Sequence, residues 1–228
     1  MQYLAQDLML LALNNQTGKI RFSASSALSY SLMGAVLLDL VLQGKLIIDH
    51  NSLIVVDANT TGDDFFDQCL NEVLTAQRPR MVNFWVKHWG SKYSGFQKVV
   101  LQNLVELGVL TQQEQRVLWI FRVQRYFLTD ASIQRAIIDR VRAAVLENIG
   151  LHSRTAALMS LIQACQLTDS LFTPEERRKA RPRIQAIANG ELVGKAVSDT
   201  VAGVQAALSA SMTAAIVAST ASSSSSNS

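Results

Sequence analysis

Between Ala76 and Leu104 the chain carries five basic residues, Arg78, Arg80, Lys87, Lys92 and Lys98, and no Asp or Glu. Phe84, Trp85, Trp89, Tyr93 and Phe96 are interleaved with them. Cations beside amphipathic aromatics are the chemistry of an anionic, partly apolar surface. Lysine and arginine are drawn to anionic headgroups, and tryptophan favours the interface between headgroup and acyl chain. Lys92 and Lys98 are the first candidates for headgroup contact, with Arg78, Lys87 and Arg21 beside them. A plainer reading stands next to this one, with the aromatics as core and the lysines as a solvated face.

A second aromatic cluster runs from Val117 to Leu128, where Trp119, Ile120, Phe121, Tyr126 and Phe127 alternate with Arg116, Arg122 and Arg125. Trp119, Phe121, Tyr126 and Phe127 fit a hairpin that inserts in a membrane, packs on a second copy of the chain, or is simply buried. A third cluster, Arg177-Arg178-Lys179 with Arg181 and Arg183, follows Glu175-Glu176 and reads as the solvated face of a helix.

Catalytic chemistry finds no such cluster. His50, His88 and His152 are scattered, without a neighbouring nucleophile or a metal-spaced partner. Asp63, Asp64 and Asp67 are better placed to complement a helix N-terminus than to act as an acid–base pair. There is no Gly-x-Gly-x-x-Gly, phosphate loop or Gly-x-Ser-x-Gly. Cys69 and Cys165 follow no metal-ligand or disulfide spacing and read as buried free thiols of a reducing, cytoplasmic compartment. The expectation is a protein without catalytic residues, metal or cofactor.

The elements that must position these residues are mainly helices. Of 228 residues, 49% are apolar and 17% charged, with a net charge of +3, a balance that favours a packed globule over a disordered chain. Apolar periodicity predicts helices at Tyr3–Asn14, Ser26–Gln43, Asp63–Ala76, Met81–Trp89, Ser94–Leu107, from Asp130 to Leu146, Ser153–Cys165, Pro174–Ala188 and from Leu192 to about Ala218. Leu46–Ile48 and Leu53–Val56 read as a hairpin, and Val117–Phe121 pairs with Tyr126–Leu128 in another. Residues 1–221 are expected to form one domain and 222–228, polyserine with one asparagine, a disordered tail. Met1–Asn14 lacks the basic start and cleavage site of a secretory leader, and no window has the apolar length of a membrane span.

One pattern occurs twice. Leu40-Val41-Leu42-Gln43-Gly44-Lys45-Leu46 and Leu104-Val105-Glu106-Leu107-Gly108-Val109-Leu110 share Leu-Val-x-x-Gly-x-Leu, each ending an apolar helix and leading into a hairpin. Helix followed by hairpin is the ending of a winged helix, so the fold class expected is a single compact, mainly α domain with short β-hairpins. A winged-helix protein could bind nucleic acid. However, Ser26–Gln43 has no basic residue with which to read a groove, so nucleic acid is disfavoured. A scaffold that binds only proteins is a third possibility.

The ordered series from Leu4-Ala5-Gln6-Asp7-Leu8 through Gly34-Ala35-Val36-Leu37-Leu38-Asp39-Leu40 to Gly44-Lys45-Leu46 resembles the opening of the Golgi phosphoprotein 3 family. Asn103-Leu104-Val105-Glu106-Leu107-Gly108-Val109-Leu110-Thr111, Tyr126-Phe127-Leu128-Thr129 and Arg154–Leu161 extend the resemblance over roughly residues 3–210. It implies a helical, peripheral membrane protein that binds phosphatidylinositol 4-phosphate, inserts a hydrophobic hairpin and, in eukaryotes, holds glycosyltransferase tails. By this resemblance the partners are an anionic phospholipid or phosphoinositide headgroup and other proteins, with homo-oligomers conceivable. The family's headgroup residues fall on Ser23–Ser25, Met33, Ser94 and Gln97, none of which is the tryptophan or arginine the family places there. The resemblance therefore leaves the particular lipid open, and this departure fits a bacterial member.

Overall fold

The computed structural model describes residues 3–117, 121–193 and 198–210. The expected mainly helical domain is what they form, with three small antiparallel sheets. Helices α1 (Leu4–Ala12), α3 (Leu28–Leu42) and α8 (Ser153–Ala164) pack on one another at the centre. Their sequences explain why. All nine residues of α1 are buried, and α3 buries Leu32, Val36, Leu37, Leu38 and Leu40 around its whole circumference. A fully buried leucine contributes roughly 1.5–3 kcal/mol, so a helix apolar on every side is stable only with neighbours on every side. Around this centre lie α5 (Val82–Lys92), α6 (Phe96–Glu106), α7 (Ala131–Arg142) and α10 (Pro174–Ala188). A helix at residues 198–210, here α11, overlaps the expected helix from Leu192; residues 194–197 and the tail 222–228 lie outside the described residues.

The repeated Leu-Val-x-x-Gly-x-Leu pattern has one structural meaning in both places. Gly44 and Gly108 adopt left-handed backbone, at φ +71° and +70°. The amide of Gly44 donates to the Val41 carbonyl and that of Lys45 to Leu40, each at 2.9 Å. Gly108 to Val105 and Val109 to Leu104 repeat both bonds at the same length. This is a Schellman stop, in which glycine avoids the Cβ penalty and the next residues turn the chain inward. Leu46 and Leu110 then return to the core, and each opens a hairpin: β3 (Leu46–Asp49) with β4 (Ser52–Val55), and β6 (Leu110–Val117) with β7 (Phe121–Leu128).

Local chemistry starts α7, α10 and one further helix. Asp63 caps α4 (Asp64–Leu74) by accepting from the amides of Phe65 and Phe66. Asp130 caps α7 by accepting from Ser132. Thr173 and Glu176 make a reciprocal capping box at α10, with Pro174 in the first turn.

Six features differ from the expected elements. Helix α1 stops at Ala12 because Leu13–Asn14 (β1) pair with Lys19–Ile20 (β2) around Gly18. Phe22–Ser25 form a short helix α2, Thr168–Leu171 form another, α9, and Arg80–Met81 make a strand β5 on the edge of β4. The hairpin expected from Val117–Phe121 with Tyr126–Leu128 is longer and shifted: Val117 ends β6 and pairs with Phe121 at the start of β7, while Tyr126–Leu128 pair with Leu110–Gln112. Thr111–Arg116 are all exposed, so neither face carries the alternation that marks a half-buried strand. Finally, α7 runs into a single π-helical segment, Ala143–Glu147, that ends at Asn148 with φ +62°.

Candidate functional site

The basic and aromatic stretch folds into β5, α5 and α6, and folding divides it. Trp85, Trp89 and Phe96 are core residues, so the plainer reading holds for these three. Phe84 is not among them. It is 39% exposed, lies parallel to the His88 ring, and has the Arg80 guanidinium 4.9 Å above it. Met81, one turn earlier at the helix start, is 47% exposed. Residues 84, 87, 88 and 91 share the outward side of α5, since they are three and four apart. Lys87 is therefore one turn from Phe84 on that side and is exposed.

The acid-free character of the stretch does not survive folding. Glu72, from α4, lies within 3.1 Å of His88, accepts from Lys92 at 2.9 Å and accepts the Tyr93 hydroxyl. Burial opposes ionisation of Glu72, but the Tyr93, Lys92 and His88 hydrogen bonds outweigh it and hold the carboxyl below its ordinary range. The Glu72 hydrogen bond raises Lys92, while burial followed by Glu72 pushes the Tyr93 phenol up to about 12. Lys92 is thus half of an ion pair. The side chains of Lys87, Lys98 and Arg78 make no hydrogen bond or ion pair among the described residues. Lys98 opens α6 next to Val99, which is 56% exposed. Arg78 lines a shallow groove with Arg80, Pro79 and Trp85.

Arg21 is half-buried, and burial lowers its guanidinium from the ordinary value; its Nε donates to the Leu11 carbonyl at 3.3 Å. Beside it Phe22 is 94% exposed, the most exposed large apolar side chain among the described residues. Tyr126 and Phe127 are half-buried at the base of the β6–β7 ribbon rather than near its tip. The Tyr126 amide donates to the Gly18 carbonyl, and the Phe127 ring covers Gly18 so closely that a Cβ there would meet Cζ at 2.8 Å. Trp119 and the side chain of Phe121 lie outside the described residues.

At the positions to which the resemblance assigns headgroup residues, Met33 is 1% exposed and belongs to the core. Ser94 is exposed and Gln97 half-buried near the start of α6. None of the three presents a cation.

Sequence reading missed a buried charge network. Asp7 and Asp39 are 1% and 2% exposed. Arg140 donates to Asp7 at 2.8 Å, and Arg154 donates to Asp39 at 3.0 Å while standing 3.6 Å from Asp7. The Leu4 amide takes the other Asp39 oxygen at 2.7 Å. Burial raises Asp39 to about 7 despite these partners. Asp39, His152 and Arg154 line a cavity of about 670 Å³, but both Asp39 oxygens are engaged within the protein. The buried thiols are equally unsuited to nucleophilic work: burial pushes Cys69 far up and Cys165 up to about 11. Among the described residues no three His, Cys, Asp or Glu side chains group to hold a metal, and no helix is long and apolar enough to cross a membrane.

A mainly helical domain with paired glycine-stopped helix–hairpin units is thus the class defined. The family profile for Golgi phosphoprotein 3 (GPP34) matches residues 4–204, and the chain belongs to this family. It is also similar to vacuolar protein sorting-associated protein 74 of Schizosaccharomyces pombe, at 24% identity over 167 residues. That alignment covers 64% of this chain, which spans about half (49%) of the relative's length.

Proposed function

We propose that this chain is a non-catalytic adaptor that docks peripherally on the anionic face of a membrane from the cytoplasm. What carries the reading is the outward side of α5 and the start of α6. There, exposed apolar Met81, Phe84 and Val99 stand beside Arg80 and the unpaired Lys87 and Lys98. Each lysine or arginine near an anionic leaflet contributes about 1 kcal/mol, and an aromatic ring at headgroup depth adds burial of its apolar body. Membership of the Golgi phosphoprotein 3 family and the sorting role in the relative's name support an adaptor of this kind. The binding responds to surface charge rather than to one headgroup, because Met33 is core and Ser94 and Gln97 are uncharged.

Co-sedimentation with neutral phosphatidylcholine vesicles, and with vesicles of equal negative charge made from phosphatidylglycerol or phosphatidylinositol 4-phosphate, tests this. The expected result is binding to both anionic sets, weakened by salt and by joint replacement of Arg78, Lys87 and Lys98 with glutamine. Binding that ignores those replacements would refute the surface. A strong preference for the phosphoinositide would refute the charge-only reading.

A further inference from the structure

The arginine cluster of α10 is not the uniformly solvated face that its sequence indicates. Lys179 pairs with Glu175 at 2.8 Å, and Arg183 turns to the Ala144 carbonyl near the start of the π-helical segment. Arg177, Arg178 and Arg181 instead line a cavity of about 470 Å³ between α10 and the C-terminal end of α8, with Gln163 and Gln185 on its wall and buried Ile184 behind them. One acid, Asp169, faces them and binds Arg177 through Nη1. Arg178 and Arg181 have no partner among the described residues, so the site keeps two uncompensated guanidinium groups. Two polar atoms in its wall are fully buried and unpaired: Arg177 Nε, a donor, and Gln163 Oε1, an acceptor. A buried polar atom without a partner is unfavourable, and here one partner must accept and the other must donate.

From this arrangement we infer that the α8–α10 cavity binds a small phosphate ester that also carries hydroxyl groups. Its dianion is taken by the guanidiniums of Arg177, Arg178 and Arg181, whose planar donor forks match phosphate oxygens. Its hydroxyl donates to Gln163 Oε1. The concave shape and volume suit one small molecule rather than a polymer. The source is either a soluble sugar phosphate or the phosphorylated polyol headgroup of a lipid. This site is separate from the α5–α6 surface and does not depend on it.

Calorimetric titration of the full chain with inorganic phosphate, glycerol 3-phosphate and glucose 6-phosphate tests the assignment. Glucose 6-phosphate should bind at least about tenfold tighter than inorganic phosphate, and R178Q/R181Q, at two exposed positions, should weaken it about tenfold or more. Q163M should keep phosphate binding and lose the preference for the hydroxyl-bearing ester. Phosphatidylcholine vesicles containing phosphatidylinositol 4-phosphate distinguish the sources. A fall in vesicle binding with R178Q/R181Q identifies a lipid headgroup, and unchanged vesicle binding with lost ester binding identifies a soluble metabolite. Equal affinity for phosphate and its esters, or ester binding untouched by R178Q/R181Q, overturns the proposal. Because R178Q/R181Q leaves Arg78, Lys87 and Lys98 in place, failure here is distinct from failure of the membrane surface.

Discussion

Arg154 donates to Asp39 at 3.0 Å across 115 residues of sequence, joining the start of α8 to α3 through a carboxylate that is 2% exposed. Removing one partner of such a pair strands a buried charge, which costs about 3–5 kcal/mol. Asp39 can escape by taking a proton, since burial already raises it to about 7. Between its ordinary value of 3.8 and about 7, folded Asp39 holds a proton that the unfolded chain releases, so this group's contribution makes the wild type less stable as pH rises through that window. R154M should therefore be destabilised by about 3–5 kcal/mol near pH 8 and by clearly less near pH 5. D39N should remove the Asp39 component of the pH dependence. Urea unfolding of all three at both pH values checks this; a deficit in R154M that does not change with pH would contradict it.

Gly44 and Gly108 supply a local test. Both are left-handed, and a Cβ at either would meet nothing within 4 Å. Alanine should then cost only the backbone strain, about 1–2 kcal/mol at each site. The two losses should be equal and additive, as the sites do similar work in separate hairpins. G18A should cost more, because Phe127 would also have to move. Chemical denaturation midpoints of the three variants and the G44A/G108A double variant decide it.

These features differ in how far the sequence revealed them. The Schellman stops were visible because their determinants lie within seven consecutive residues. The caps at Asp63, Asp130 and Thr173 are equally local. What escaped was pairing at a distance. Glu72 neutralises Lys92 from 20 residues away, and Arg142 takes Glu176 from 34 residues away, holding its carboxyl down to about 2. Glu176 is thereby committed to α7 rather than to its own helix. The departure at Met33 was readable, and its burial rules out headgroup contact. The β6–β7 hairpin was expected but its extent and register were not, because Thr111–Arg116, solvated on both faces, have no hydrophobic period to detect.

Glu72 makes a prediction for the proposed membrane surface. E72Q removes the anion that engages Lys92, freeing that lysine beside Lys87 and Lys98. Binding to anionic vesicles should tighten by a factor of about five, the equivalent of one added lysine. The Tyr93 phenol should fall from about 12 toward its ordinary value, though burial keeps it from returning fully. Co-sedimentation and ultraviolet titration of the tyrosines read the two effects separately. Weaker vesicle binding by E72Q would take Lys92 off the membrane-facing surface.

Gly90 tests how α5 sits on α3. A Cβ at Gly90 would lie 2.6 Å from Cδ1 and 2.8 Å from Cε1 of Tyr30, so the close approach of the two helices there depends on a missing side chain. Alanine has two opposing effects at this position. It gains up to about 1 kcal/mol of helix propensity over glycine in α5. It also forces the Tyr30 ring aside, and overpacking of this kind costs about 1–3 kcal/mol. Alone, G90A should be destabilising, because Tyr30 is packed against the core and has little room to yield. In a Y30A background the obstacle is gone and only the propensity gain remains, so the same substitution should become stabilising. A double-mutant cycle by thermal or urea unfolding reads this change of sign directly. If G90A costs the same in both backgrounds, the spacing of α3 and α5 is set by something other than the Tyr30–Gly90 contact.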